Sequence, residues 1–175
     1  MPARTDRSRS VEQSSPTTQA RLITSSSVVT NLTVRAAGLV PARIDLAHVG
    51  TAEQQLGLTL GSVLIYIRAG ATARAVADGW SGAAVGAQSL APAIAGRRPL
   101  LIGPTTVAAM IRFAGLPDVT WAFMPARAGR AVPAMLRIEV GPVNWEVCDA
   151  TAYTSMLRAW RQAARLLAEN PTEDE

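Results

Sequence analysis

Sliding the chain along itself until Leu56 meets Leu136, a shift of 80, also places Gly61, Val63, Trp80, Ala83 and Ala84 on Gly141, Val143, Trp160, Ala163 and Ala164. No gap is needed across that stretch. Leu58 falls on Ile138, Leu60 on Val140, Ile67 on Val147 and Val76 on Met156. A chain that echoes its own apolar positions is constrained to one supersecondary unit used twice. The competing reading is two similar hairpin–helix motifs arising separately in one alanine-rich chain.

The content of the unit follows from its periodicity. Leu56, Leu58 and Leu60 alternate, Gly61-Ser62 turns, and Val63 to Ile67 returns. Leu136, Ile138 and Val140 alternate, Gly141-Pro142 turns, and Val143, Trp145 and Val147 alternate. Both stretches predict a hairpin with one buried face. After each hairpin, apolar residues recur at spacings of three and four. Val76, Trp80, Ala83, Ala84 and Ala87 share one helical face, as do Met156, Trp160, Ala163, Ala164 and Leu167. Trp80 and Trp160 stand at the centre of these faces and are expected to anchor the core.

The echo continues upstream at a shift of 77, where Arg35, Ala37, Gly38 and Leu39 sit over Arg112, Ala114, Gly115 and Leu116. Ile44 and Leu46 sit over Trp121 and Phe123, which adds a third strand to each unit. The change of shift falls in a loop, where insertions are best tolerated. The leading element is in conflict. Val107, Met110, Ile111 and Ala114 have helical spacing with a Gly115/Pro117 stop, whereas Val28, Val29, Thr30, Thr33 and Val34 read as strand. The expected fold is α+β: an internally duplicated unit of about three antiparallel strands followed by a helix packed on the sheet. The two copies are expected in a pseudo-twofold arrangement, as one continuous sheet or face to face. Residues 28–96 form the first unit and 97–168 the second, in one globular body.

Residues 1–27 are rich in Ser, Thr, Gln and Arg and hold few large apolar side chains, so they predict a disordered tail. They lack the apolar core of a secretory signal. Residues 169–175 form a short acidic tail. No run of about 18 apolar residues exists, and no membrane span is expected. All 17 basic residues are Arg and alanine is abundant, which fits the codon bias of a GC-rich bacterial genome. Between residues 28 and 168 lie 13 Arg and 7 acids, a net charge of +6. So basic a body favours an acidic protein surface or nucleic acid as partner. Self-association is a further possibility. A lone Cys excludes an internal disulfide and fits a reducing cytoplasm.

Catalytic patterns are weak. Gly79-Trp80-Ser81-Gly82-Ala83 resembles a nucleophile elbow, but an alanine-rich helical segment precedes it rather than a strand, and the sole histidine, His48, comes before the serine. Gly79, Gly82 and Gly86 fall on one helix face, where they either permit close packing or merely weaken the helix. Cys148 ends a strand and Asp149 is placed to cap the helix that follows. One His and one Cys do not make a zinc site. Gly103-Pro104-Thr105-Thr106 lacks the glycine spacing and lysine of a phosphate loop. No cofactor, metal or catalytic residue is therefore expected. Arg97, Arg98, Arg127 and Arg130 flank or occupy predicted loops and are the candidates for binding an anion or nucleic acid. Arg158, Arg161 and Arg165 form a stripe opposite Trp160, expected to be a solvated face. The expectation for function is a non-catalytic binding or adaptor protein of the bacterial cytoplasm. A nucleic-acid-binding accessory protein is the alternative, and a small hydrolase or thiol enzyme is a remote one.

Overall fold

A computed structural model describes residues 31–94, 107–113, 115–126 and 133–171. The fold is mixed α+β, with two four-stranded sheets and three helices among the described residues. In chain order the elements are β1 (Leu32–Ala36), β2 (Ala42–Ala47), β3 (Gln55–Leu60), β4 (Val63–Ile67), α1 (Gly70–Gly82) and α2 (Ala84–Ala87). There follow β5 (Ala109–Arg112), β6 (Val119–Met124), β7 (Met135–Val140), β8 (Val143–Val147) and α3 (Ala150–Glu169).

The sheets are ordered β2-β3-β4-β5 and β1-β8-β7-β6. Each holds three consecutive antiparallel strands from one half of the chain and a fourth, parallel strand from the other half. Of the two expected arrangements, one continuous sheet is thus overturned: the halves build separate sheets and exchange their leading strands. The conflict over the leading element around Val107, Met110 and Ile111 is resolved in favour of strand. Ala109–Arg112 is a strand, because pairing with β4 satisfies its backbone and its residues alternate between half-buried and exposed. A spacing of three and four over so short a stretch is too little to decide against a waiting sheet edge.

The two sheets have matching registers. Ala42 pairs with Leu60, and Val119 with Val140. Leu56 pairs with Ile67, and Leu136 with Val147. Val63 pairs with Ala109, and Val143 with Leu32. Corresponding members of these pairs are related by the shifts of 77 and 80. The β3–β4 and β7–β8 turns open with Gly61 (φ 59°) and Gly141 (φ 55°), a left-handed conformation that favours glycine. Gly61 N–H donates to the Pro41 carbonyl and Gly141 N–H to that of Asp118. These bonds tie each hairpin turn to the segment entering the neighbouring strand.

The buried faces of both sheets and of α1 and α3 join in one apolar cluster. α3 lies along α1 and also contacts β2, β3 and β8, while α1 contacts β4 and β6. Trp80 and Trp160 are both fully buried. The Trp80 ring meets Trp145 edge-on at 6.2 Å and stacks on Tyr153 at 6.1 Å. The Tyr153 hydroxyl donates to the Trp80 carbonyl at 2.6 Å, locking α3 to the end of α1. Of Gly79, Gly82 and Gly86, two mark close approaches. A Cβ on Gly79 would fall 2.3 Å from Val119 Cγ1, and one on Gly86 2.8 Å from Leu136 Cδ1. Gly82 faces open space.

Asp149 starts α3. Its carboxylate accepts from Ala152 N–H at 2.8 Å, from Gly38 N–H at 2.8 Å and from Ile94 N–H at 3.3 Å, and the side chain is fully buried. One residue therefore caps the helix and pins two loops to it. At the far end of α3, buried Gln54 accepts from Gly50 N–H and donates to the Asn170 carbonyl.

Candidate functional site

α1 and α3 run antiparallel. Gly70, Ala71 and Arg74 at the start of α1 adjoin Leu167, Ala168 and Pro171 at the end of α3. Trp80, near the end of α1, bonds to Tyr153, near the start of α3. The outer side of this pair forms a groove of about 610 Å³. Arg158, Arg161 and Arg165 of α3 line one wall, and Arg74 and Asp78 of α1 line the other. Ala77, Leu157 and Ala164 supply its apolar surface, and Thr154 lies at the α3 wall.

The helical period explains this placement. Tyr153, Met156, Trp160, Ala163 and Leu167 turn into the core, so the arginines at 158, 161 and 165 emerge on the other side. On α1, Ala73, Val76, Ala77 and Trp80 are buried, which brings Arg74 and Asp78 to the surface. Arg161 is positioned further: its guanidinium donates to Ser81 Oγ at 3.1 Å, and that hydroxyl donates to the Ala77 carbonyl at 2.7 Å.

Among the described residues, four guanidinium groups thus share the groove with one carboxylate. The ion pairs among those residues are Arg35–Glu146 at 2.6 Å, Arg137–Glu146 at 3.3 Å and Arg43–Asp45 at 2.9 Å, and none involves a groove arginine. The Arg35–Glu146–Arg137 set runs across β1, β8 and β7 in register. A hydrogen bond from Arg35 and the charges of both arginines hold the Glu146 carboxyl below its ordinary range, against the effect of burial. Burial pushes the Tyr153 phenol up, opposed by the Arg161 charge.

Arg97, Arg98, Arg127 and Arg130, the loop candidates, lie outside the described residues, as do Thr105 and Thr106 and residues 1–27. Arg158, Arg161 and Arg165 are all exposed, as expected of a solvated face, and that face forms one wall of the groove. Sequence reasoning does not reveal Arg74 and Asp78 as partners of that stripe. The available signal is the offset of 80, which sets Arg74 on Thr154 and Asp78 on Arg158. Ser81 lies inside α1, not on a strand-to-helix turn. Cys148 is buried, with its Sγ 3.7 Å from the Glu146 carbonyl oxygen, and His48 is exposed where β2 ends, at φ 53°. Among the described residues no group of three or more His, Cys, Asp or Glu is placed to hold a metal ion. No described helix is long and apolar enough to cross a membrane.

Comparison with known proteins gives no matching family model, no matching curated relative and no matching solved structure.

Proposed function

We propose that this chain is a non-catalytic binding protein of the bacterial cytoplasm, and that the groove between α1 and α3 receives an anionic partner. The observation that carries this reading is the charge of the groove, with four arginines against Asp78 and no ion pair to any of the four among the described residues. Exposed arginines grouped in this way repel one another, and a bound anion relieves that repulsion. The body charge of +6 between residues 28 and 168 would draw such a partner in from a distance.

The test is a titration of the whole chain against two fluorescent polyanions, poly-glutamate and mixed-sequence duplex DNA, at low and at physiological salt. Binding should weaken with salt and should be lost in an R158Q/R161Q/R165Q variant. Those side chains lie at the surface, so the variant should melt within about 0.5 kcal/mol per substitution of the parent. Binding unchanged by the triple substitution, or none at tens of micromolar protein, would overturn the reading.

We further propose that the two halves derive from one duplicated unit related by a pseudo-twofold axis between α1 and α3. The matched registers at offsets of 77 and 80 support it. Residues 97–168 produced alone should associate as a dimer in sedimentation, each copy lending its leading strand to the other. A folded monomer would refute this.

A further inference from the structure

We infer that the occupant of the groove is a helical segment of a partner protein, one that carries a row of carboxylates beside a row of small apolar side chains. This deepens the anion-binding reading and rests on it. Three features separate such a segment from other anions.

The first is spacing. Arg158, Arg161 and Arg165 lie three and four positions apart on one helix, so they repeat at roughly 4.5 and 6 Å along its axis. A helix lying along the groove presents acidic side chains at positions i, i+3 and i+7 with the same repeat. Each carboxylate can then meet one guanidinium without either helix bending.

The second feature is the groove's apolar surface. Ala77 is buried and Leu157 and Ala164 are half-buried between the charged walls. A packed helix covers such a strip with its own apolar side chains at an interaxial distance of about 8–10 Å. A phosphate backbone has no apolar side chains to lay on that strip.

The third feature is direction. Arg74 and Thr154, Ala77 and Leu157, and Asp78 and Arg158 all line the groove, and each pair obeys the shift of 80. Equivalent positions of the two halves therefore line the same groove, yet their charges are unequal. Asp78 puts one negative charge on the α1 wall, where it would repel a uniform polyanion and favour a cation placed among the partner's acids. Among the described residues no aromatic side chain lines the groove, so they offer no platform for stacking bases.

The experiment is fluorescence anisotropy of the whole chain with three labelled probes. One is a peptide of five helical turns with Glu at i, i+3, i+7 and i+10 and Ala on the adjoining face. The second has the same composition in scrambled order. The third is a mixed-sequence DNA duplex. The patterned peptide should bind at least about tenfold more tightly than the scrambled one and gain helicity on binding, seen by circular dichroism. L157N should weaken the patterned peptide selectively. D78N should tighten it, a gain that a misfolded variant would not give. Equal binding of patterned and scrambled peptides, or tighter binding of the duplex, would overturn the helix inference and leave the anion-binding reading standing. Binding of none of the three would overturn both.

Discussion

Gly79 and Gly82 stand three positions apart on α1, and alanine at the two should act with opposite signs. At Gly82 an added Cβ meets no atom within 4 Å. Alanine there should add about 0.5–1 kcal/mol through the lower entropy of the unfolded chain. At Gly79 the Cβ would lie 2.3 Å from Val119 Cγ1 and 2.5 Å from Val119 Cβ. Carbon contacts settle at about 3.5–4.0 Å, so α1 and β6 would have to part by about 1 Å. Overpacking of that kind costs about 1–3 kcal/mol, and helix propensity returns about 0.8–1.0 kcal/mol. The net expectation for G79A is a loss of about 1 kcal/mol, a fall in Tm of about 2–4 °C for a chain of this length. V119A in the same chain should rescue G79A only in part, because the Val119 Cβ contact at 2.5 Å remains. Urea melts of G79A, G82A, V119A and the G79A/V119A double variant give the full cycle. If G79A stabilised the protein as much as G82A, α1 would not be seated on β6, and the placement of Arg74 and Asp78 that follows from that seat would be wrong.

Three further expectations follow from buried groups. D149A should lose about 3 kcal/mol in urea melts, since it removes the α3 cap and leaves the Gly38 and Ile94 N–H groups without their acceptor; D149N, which keeps one acceptor oxygen, should lose less. W80A and W160A should each lose about 3–5 kcal/mol, and a variant of either that melts like the parent would contradict their complete burial. Because the Glu146 carboxyl sits below its ordinary 4.5 when folded, its contribution is full above pH 4.5 and fades as pH falls through the lowered value. E146Q should flatten the acid limb of the stability-against-pH curve, and an unchanged limb would show that the Arg35 and Arg137 contacts do not favour the folded state.

Much of the fold is legible because local chemistry reports it. Alternation in Leu56–Leu60 and Leu136–Val140, with a glycine opening each turn, marks two hairpins whatever they pack against. The spacing around Trp80 and Trp160 marks two helices for the same reason. The exchange of β1 and β5 is not legible, since nothing in Leu32–Ala36 or Ala109–Arg112 says which sheet edge will accept it. Parallel pairing over so few residues is a tertiary choice, and around Met110 and Ile111 it overrides a spacing that reads as helix. The groove is half legible. Three arginines on one helix face are visible in any helical projection, but exposed polar residues carry no periodic mark of what stands opposite. Arg74 and Asp78 acquire meaning only once α1 and α3 are known to lie side by side.

The proposed duplication gives that juxtaposition a cause. In two antiparallel helices related by a twofold axis, each residue near the axis lies close to its own counterpart. A position that holds Asp78 in one copy and Arg158 in the other must then place opposite charges in the same groove. The same logic reaches the core. Gly79 faces Val119 and Gly86 faces Trp121, whereas the corresponding positions hold Ala159 with Ala42 and Leu166 with Ile44. In the first pair of contacts, between a helix of one half and a strand of the other, the bulk sits on the strand; at the corresponding positions it is divided between helix and strand. Close packing tolerates such exchanges when the combined volume is conserved. Copies that have diverged by compensated steps inside a common frame keep their strand registers while their surfaces become unlike. A groove on the axis of two identical copies would read the same in both directions, and a single directional segment could not be bound there in one orientation. With Arg158, Arg161 and Arg165 on one wall and Arg74 and Asp78 on the other, the two directions differ in charge at every turn of the helix.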